Sequence, residues 1–187
     1  ALLLPEPGGM PEVITTPDVG SESRTSDVRA QVAADGELRG EGTDRYEGFE
    51  AALLRAALER MDQDERRQAL ETALARNLQG GVLEEFRVDD PDDPDRPVAI
   101  AYRFRAPGWA RRQDGALAAP GTLAPLRLGA RFVTRAERET PLLIDSPEHI
   151  RLRAEIEPPA GLSAEPVPDV TLESPFGRYA ARRTVAP

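Results

Sequence analysis

Two periods alternate along this chain. Val28, Ala30 and Val32 are separated by Arg29 and Gln31, the every-second-residue pattern of a half-buried strand. Asp35-Gly36 then supplies a turn, because glycine accepts the positive φ that tight hairpins demand. The chain returns through Gly40 and Gly42, where a bulge or a close backbone approach is expected. Residues 27–46 therefore read as a β-hairpin. From residue 47 the spacing lengthens. Phe49, Leu53, Ala56 and Ala57 share one helical stripe, with Leu54, Leu58 and Met61 beside it. So wide an apolar face is expected to be well buried. Asp62 and Glu65 stand at the spacing of a capping box. A second stripe, Leu70, Ala73, Leu74 and Leu78, runs out at Gly80 and Gly81, either of which suits a left-handed cap. The pattern predicts two helices over about 47–79 with a break near Asp62. One long bent helix is the alternative.

After residue 82 the short period returns. "VLEEFRV" reads as a strand, "DDPDDPDRP" as a loop, and "VAIAYRFRA" as a strand with Val98, Ile100, Tyr102 and Phe104 on one face. Residues 107–130 read as irregular, and "RFVTR" and "PLLI" as short strands. In "HIRLRAEIE", Ile150, Leu152, Ala154 and Ile156 are expected to face in and the charged residues out. "DVTLES" and "GRYAARRTV" form a last hairpin around "SPFG". The start is rich in proline and glycine, with short strands expected at Leu2–Leu4 and around Val13–Thr15. Residues 1–26 are an extended lead-in, 27–135 a β-rich domain, and 136–187 further strands, as a second small sheet or part of the same sandwich. The fold class is α+β, mainly β: an antiparallel β-sandwich or open barrel with an inserted helical pair.

Composition narrows the chemistry. The 187 residues are 40% hydrophobic and 30% charged, which suits a folded domain. A net charge of −9 disfavours a nucleic-acid partner and an anionic membrane surface. No apolar run approaches the ~20 residues of a membrane span, so membrane insertion is not expected. Cysteine is absent, which removes disulfides and thiolate chemistry from these residues. All 24 basic residues are arginine, so no lysine is present to form a Schiff base or donate an amine.

The few candidate sites read mostly as scaffold. His149, the one histidine, shares the outward parity of Arg151 and Arg153 and has no nucleophile to serve. The acidic loop holds Asp89, Asp90, Asp92, Asp93 and Asp95. It lacks the glycine and glutamate of a calcium-binding EF-hand loop, and a weak, incidental calcium site is the most it suggests. Glu155 and Glu157 read as ion-pairing surface residues rather than a glycosidase pair. Trp109, with Arg111 and Arg112, is the candidate partner-contact surface, against the plainer reading that the indole covers one end of the core. No catalytic, cofactor-binding or metal-ligating residue is assigned, and no cofactor is expected.

Three stretches carry a resemblance: "VRAQVAADGELRGEGTDRYEGFEAALLRAAL", "DDPDRPVAIAYRFRAPGWA" and "RETPLLIDSPEHIRLRAEIEPPAGLSAEPVPDVTLESPFGRY". In this order they resemble the region that follows the catalytic core in bacterial transglutaminase-like proteins, which carry flanking domains of unknown function. The resemblance implies an exported, periplasmic or extracellular polypeptide whose papain-like core bears a Cys-His-Asp triad. No triad member maps onto this chain. "ALLLPEPG" resembles the tail of that core, and further strand sequence usually follows the "FGRY" hairpin in the family. The last sheet here is thus expected to lack a neighbour unless a partner supplies it. The resemblance implies a non-catalytic accessory module that packs on the core or positions protein or cell-envelope partners. A free-standing cell-envelope module binding a protein or carbohydrate is the alternative. Without lysine, the segment offers a cross-linking enzyme only glutamines such as Gln79 or Gln113.

Overall fold

The computed structural model describes residues 2–4, 12–14, 23–89, 96–125, 127, 130, 149–165, 167–175 and 177–185. The fold is α+β and mainly β. Short strands β1 (Leu2–Leu4) and β2 (Glu12–Ile14) pair with each other. The hairpin β3 (Ser23–Val32) and β4 (Leu38–Tyr46) follows, then helices α1 (Gly48–Leu58) and α2 (Gln63–Asn77). Strands β5 (Val82–Asp89) and β6 (Val98–Ala106) come next, and a small hairpin, β7 (Arg111–Gln113) with β8 (Ala116–Ala118). The last strands are β9 (His149–Glu157), β10 (Val170–Ser174) and β11 (Gly177–Ala181).

The main sheet runs β5-β6-β4-β3-β9. Four of its strands are antiparallel, but β9 lies parallel to β3, with Ser26 opposite Leu152 and Ala30 opposite Ile156. The antiparallel expectation is therefore corrected to a mixed sheet. Alternation fixes which side of a strand faces the core, not the direction of a neighbour far away in sequence. The described strands form one open sheet and three two-stranded ones, without barrel closure or a second large sheet. The second layer is instead helical, with α1 against β3 and β6 and α2 against β5. β9 begins where the C-terminal strands were expected, yet it belongs to the main sheet, whereas β10 and β11 stand apart.

Local rules account for most elements. Gly36 adopts φ +87° and its N–H donates to the Ala33 carbonyl at 2.9 Å, closing the β3–β4 turn with a left-handed residue. Asp62 caps α2: its side chain accepts from the Glu65 N–H at 2.9 Å, and Glu65 accepts from the Asp62 N–H at 3.0 Å. Arg66 Nη2 donates to the Leu58 carbonyl at 2.7 Å and fastens α2 to the end of α1. Arg67 Nη2 reaches the Leu83 carbonyl at 2.8 Å and fastens it to β5.

Two apolar clusters fill the space between the layers. One joins Val28, Val32, Leu38, Phe104 and Ala106 of the sheet to Leu78, Trp109 and Leu123. The other joins Ala51 and Leu58 of α1 to Val98, with Tyr46, Leu54 and Val88 at its margin. The stripe expected to bury α1 is corrected here. Phe49 and Leu53 are 59% and 55% exposed, whereas Leu58 and Leu54 of the flanking stripe pack inward as expected, and Ala51 joins them against the sheet. Both stripes are apolar, and the angle at which the helix meets the sheet selects the flanking one.

Candidate functional site

Between the two apolar clusters lies a polar one. In the register of the sheet, Ser26, Asp44 and Ile100 stand side by side on the helix-covered face. Asp44 is buried, yet its carboxylate is thoroughly engaged. Arg24 Nη2 donates to Oδ2 at 2.7 Å, and Ser26 Oγ to Oδ1 at 2.6 Å. The phenols of Tyr46 and Tyr102 reach Oδ2 at 3.4 Å and Oδ1 at 3.3 Å. The Arg24 guanidinium also lies 5.1 Å from the centre of the Tyr46 ring, in cation–π range.

Gly42 makes this cluster possible. A Cβ on it would stand 2.5 Å from the Tyr102 ring, so the ring lies across bare backbone and its hydroxyl extends to Asp44. Electrostatics follow from burial. Tyr46 is pushed up to about 12, first by burial and then by the adjacent Asp44 charge. Tyr102 is raised by the same two causes in the same order. Arg24 is held above its ordinary value: burial opposes this, but Tyr46 and Asp44 together outweigh it. Arg24, Ser26 and the two phenols thus share the two Asp44 oxygens. The Ser26–Asp44 contact ties β3 to β4 within this network.

Among the described residues, no helix or second sheet covers the opposite face of the sheet. It carries a shallow hollow of about 470 Å³ lined by Arg29, Arg87, Arg103 and Arg153 and by Asp27, Glu41, Glu85 and Glu155. One row crosses all five strands as Glu155, Arg29, Glu41, Arg103 and Glu85, so charge alternates at every step. Arg103 meets Glu85 at 2.7 Å and Arg29 meets Glu155 at 3.6 Å. Four cations and four anions cancel in the hollow, which leaves little net field to attract a charged small molecule.

The residues singled out from sequence do not converge. Trp109 is only 8% exposed and sits in the larger apolar cluster, so its indole covers the core. Arg111 and Arg112 are exposed, and Arg112 Nη2 donates to the Ala34 carbonyl at 3.1 Å, tying β7 to the β3–β4 turn. His149 opens β9, exposed, opposite Ser23. Glu155 bridges Arg153 at 2.6 Å, and Glu157 accepts from Gln31. Asp89 ends β5, while residues 90–95 of the acidic loop lie outside the described residues. No cluster of three or more metal-ligating side chains occurs among the described residues, and no described helix is long and apolar enough to cross a membrane.

Asp44 was missed from sequence. Its signal was parity alone: Leu38, Gly40 and Gly42 face the helices, so Asp44 must too. No family model, no curated protein and no solved structure matches this chain. The resemblance to transglutaminase-like proteins therefore rests on the residue pattern.

Proposed function

We propose that the chain is a non-catalytic accessory module of a transglutaminase-like protein, and that α1 docks it onto a papain-like core of the same polypeptide. The observation that carries this reading is the outward stripe of α1. Phe49 and Leu53 stand one turn apart, both more than half exposed, with exposed Ala56 continuing the line. Single exposed apolar residues are ordinary. Two large ones aligned on a well-anchored helix form a patch of the kind that partners cover. The hairpin β10–β11 adds a second such face, since Val170, Leu172 and Tyr179 share one side of it and all are exposed. A two-stranded hairpin has little stability alone and gains it by packing on a surface. The self-neutralised open face favours a structural role over binding a charged ligand. This reading implies an exported setting, periplasmic or extracellular, and no nucleic-acid partner.

The test is the mass of the native polypeptide, captured from its source with an antibody to this segment. A mass far above 20.4 kDa, with upstream peptides bearing a Cys, a His and an Asp, is the expected result. A native mass near 20.4 kDa would overturn the reading, and a free-standing envelope-binding module would replace it.

A further inference from the structure

β9 ends the strand order of the main sheet, and no described strand lies on its outer edge. It is nine residues long, a length of unpaired backbone that proteins normally block. Its apolar side chains continue the helix-covered face beyond the cover: Ile150 and Ile156 are 44% and 39% exposed, and Leu152 is half-buried. Its charges are ordered along the strand, with Arg151 and Arg153 first and Glu155 and Glu157 after.

That order is self-complementary. We propose that two copies of the chain pair antiparallel through β9 about a two-fold axis at Ala154. In this register Arg151 faces Glu157 of the second copy and Arg153 faces Glu155, and symmetry repeats both pairs. On the other face Leu152 meets Ile156 twice, and the two Ala154 residues meet on the axis. Every directly opposed charged pair is of opposite sign, and the apolar residues oppose one another, the arrangement that stabilises adjacent strands. Centring the axis on Arg153 instead would oppose two arginines, and parallel pairing would set each charge against its like. A one-residue slip would turn the apolar residues to the charged face.

The contact also closes. A two-fold interface uses the same patch on both copies, so the product is one ten-stranded sheet and not a growing filament. The far edge, β5, does not share the sequence and carries a bulge between Leu83 and Glu85. The inference is independent of the α1 docking surface, because Phe49 and Leu53 lie on the helical layer and β9 at a sheet edge.

Charge reversal in trans tests it by sedimentation of the 187-residue chain. The wild type is expected at twice 20.4 kDa. The double variants Arg151→Glu/Arg153→Glu and Glu155→Arg/Glu157→Arg each oppose like charges and are expected to lose the dimer. An equimolar mixture of the two restores opposite charges in every pair and is expected to recover a mixed dimer. Recovery also shows that both variants fold. A wild type that stays monomeric across the accessible concentration range overturns the proposal. So does a dimer that survives both reversals, or a mixture that stays monomeric.

Discussion

The two faces of the main sheet hold the same kind of ion pair under opposite conditions. Arg24–Asp44 on the helix-covered face and Arg103–Glu85 on the open face both measure 2.7 Å. The Asp44 side chain is 11% exposed and that of Glu85 is 66% exposed. Equal distance does not mean equal energy. Water screens the outer pair and solvates either partner if the other leaves. Around Asp44 the solvent has been replaced by Ser26, Tyr46 and Tyr102, so removing one member strands the rest. The covered face holds its charge as one shared network, and the open face distributes its charges into pairs that can each be lost cheaply.

The largest effect that would break this contrast is Arg24→Met. It leaves the Asp44 carboxylate without its cation, and unfolding by urea is expected to show a loss of about 3 kcal/mol. A loss as small as that of an open-face variant would mean that water reaches Asp44. Next comes Gly42→Ala. The new Cβ meets the Tyr102 ring and must push the phenol off Asp44, with an expected loss of about 2 kcal/mol.

Alkaline pH sharpens the comparison without mutation. Tyr46 is raised from 10.0 to about 12 in the folded chain. A group raised on folding contributes stability in full below its unfolded pKa and loses it as pH rises through the folded one. The Tyr46 share of stability is thus expected to fall by about 1–2 kcal/mol between roughly pH 10 and 12, and Tyr46→Phe should lessen the slope, leaving the part that Tyr102 contributes. A wild-type curve no steeper than that of Tyr46→Phe would remove the phenol from the network. The smallest effect is Glu85→Gln on the open face, where calorimetry is expected to show a change under about 0.5 kcal/mol.

Much of this was readable from spacing alone. The Asp62–Glu65 cap, the Asp35-Gly36 turn and the inward face of β6 depend on residues close in sequence, and all three have the expected form. The β7–β8 hairpin was also local but was passed over. Asp114 and Gly115 both take positive φ, the Asp-Gly signature of a two-residue hairpin turn, hidden in an alanine-rich stretch. Other features are not local. The direction of β9 depends on a strand more than a hundred residues away in sequence. The exposure of Phe49 and Leu53 depends on a helix-to-sheet angle that two apolar stripes leave open. The site was harder still, because a buried aspartate looks in sequence like any polar residue in a hairpin. Only the meeting of Arg24, Ser26 and Tyr102 around it marks the position as different.

The parallel pairing of β3 with β9 also orders events in time. Strands β3, β4, β5 and β6 and both helices are complete by Ala106, whereas β9 starts at His149. Closing so long a loop is slow compared with forming hairpins and helices. A four-stranded intermediate with β3 as its bare edge is therefore expected to form first and wait for the fifth strand. In hydrogen exchange of the monomeric charge-reversal variants, the β9 amides bonded to β3 should open before those shared by β4 and β6. The last strand to arrive would be the first to leave.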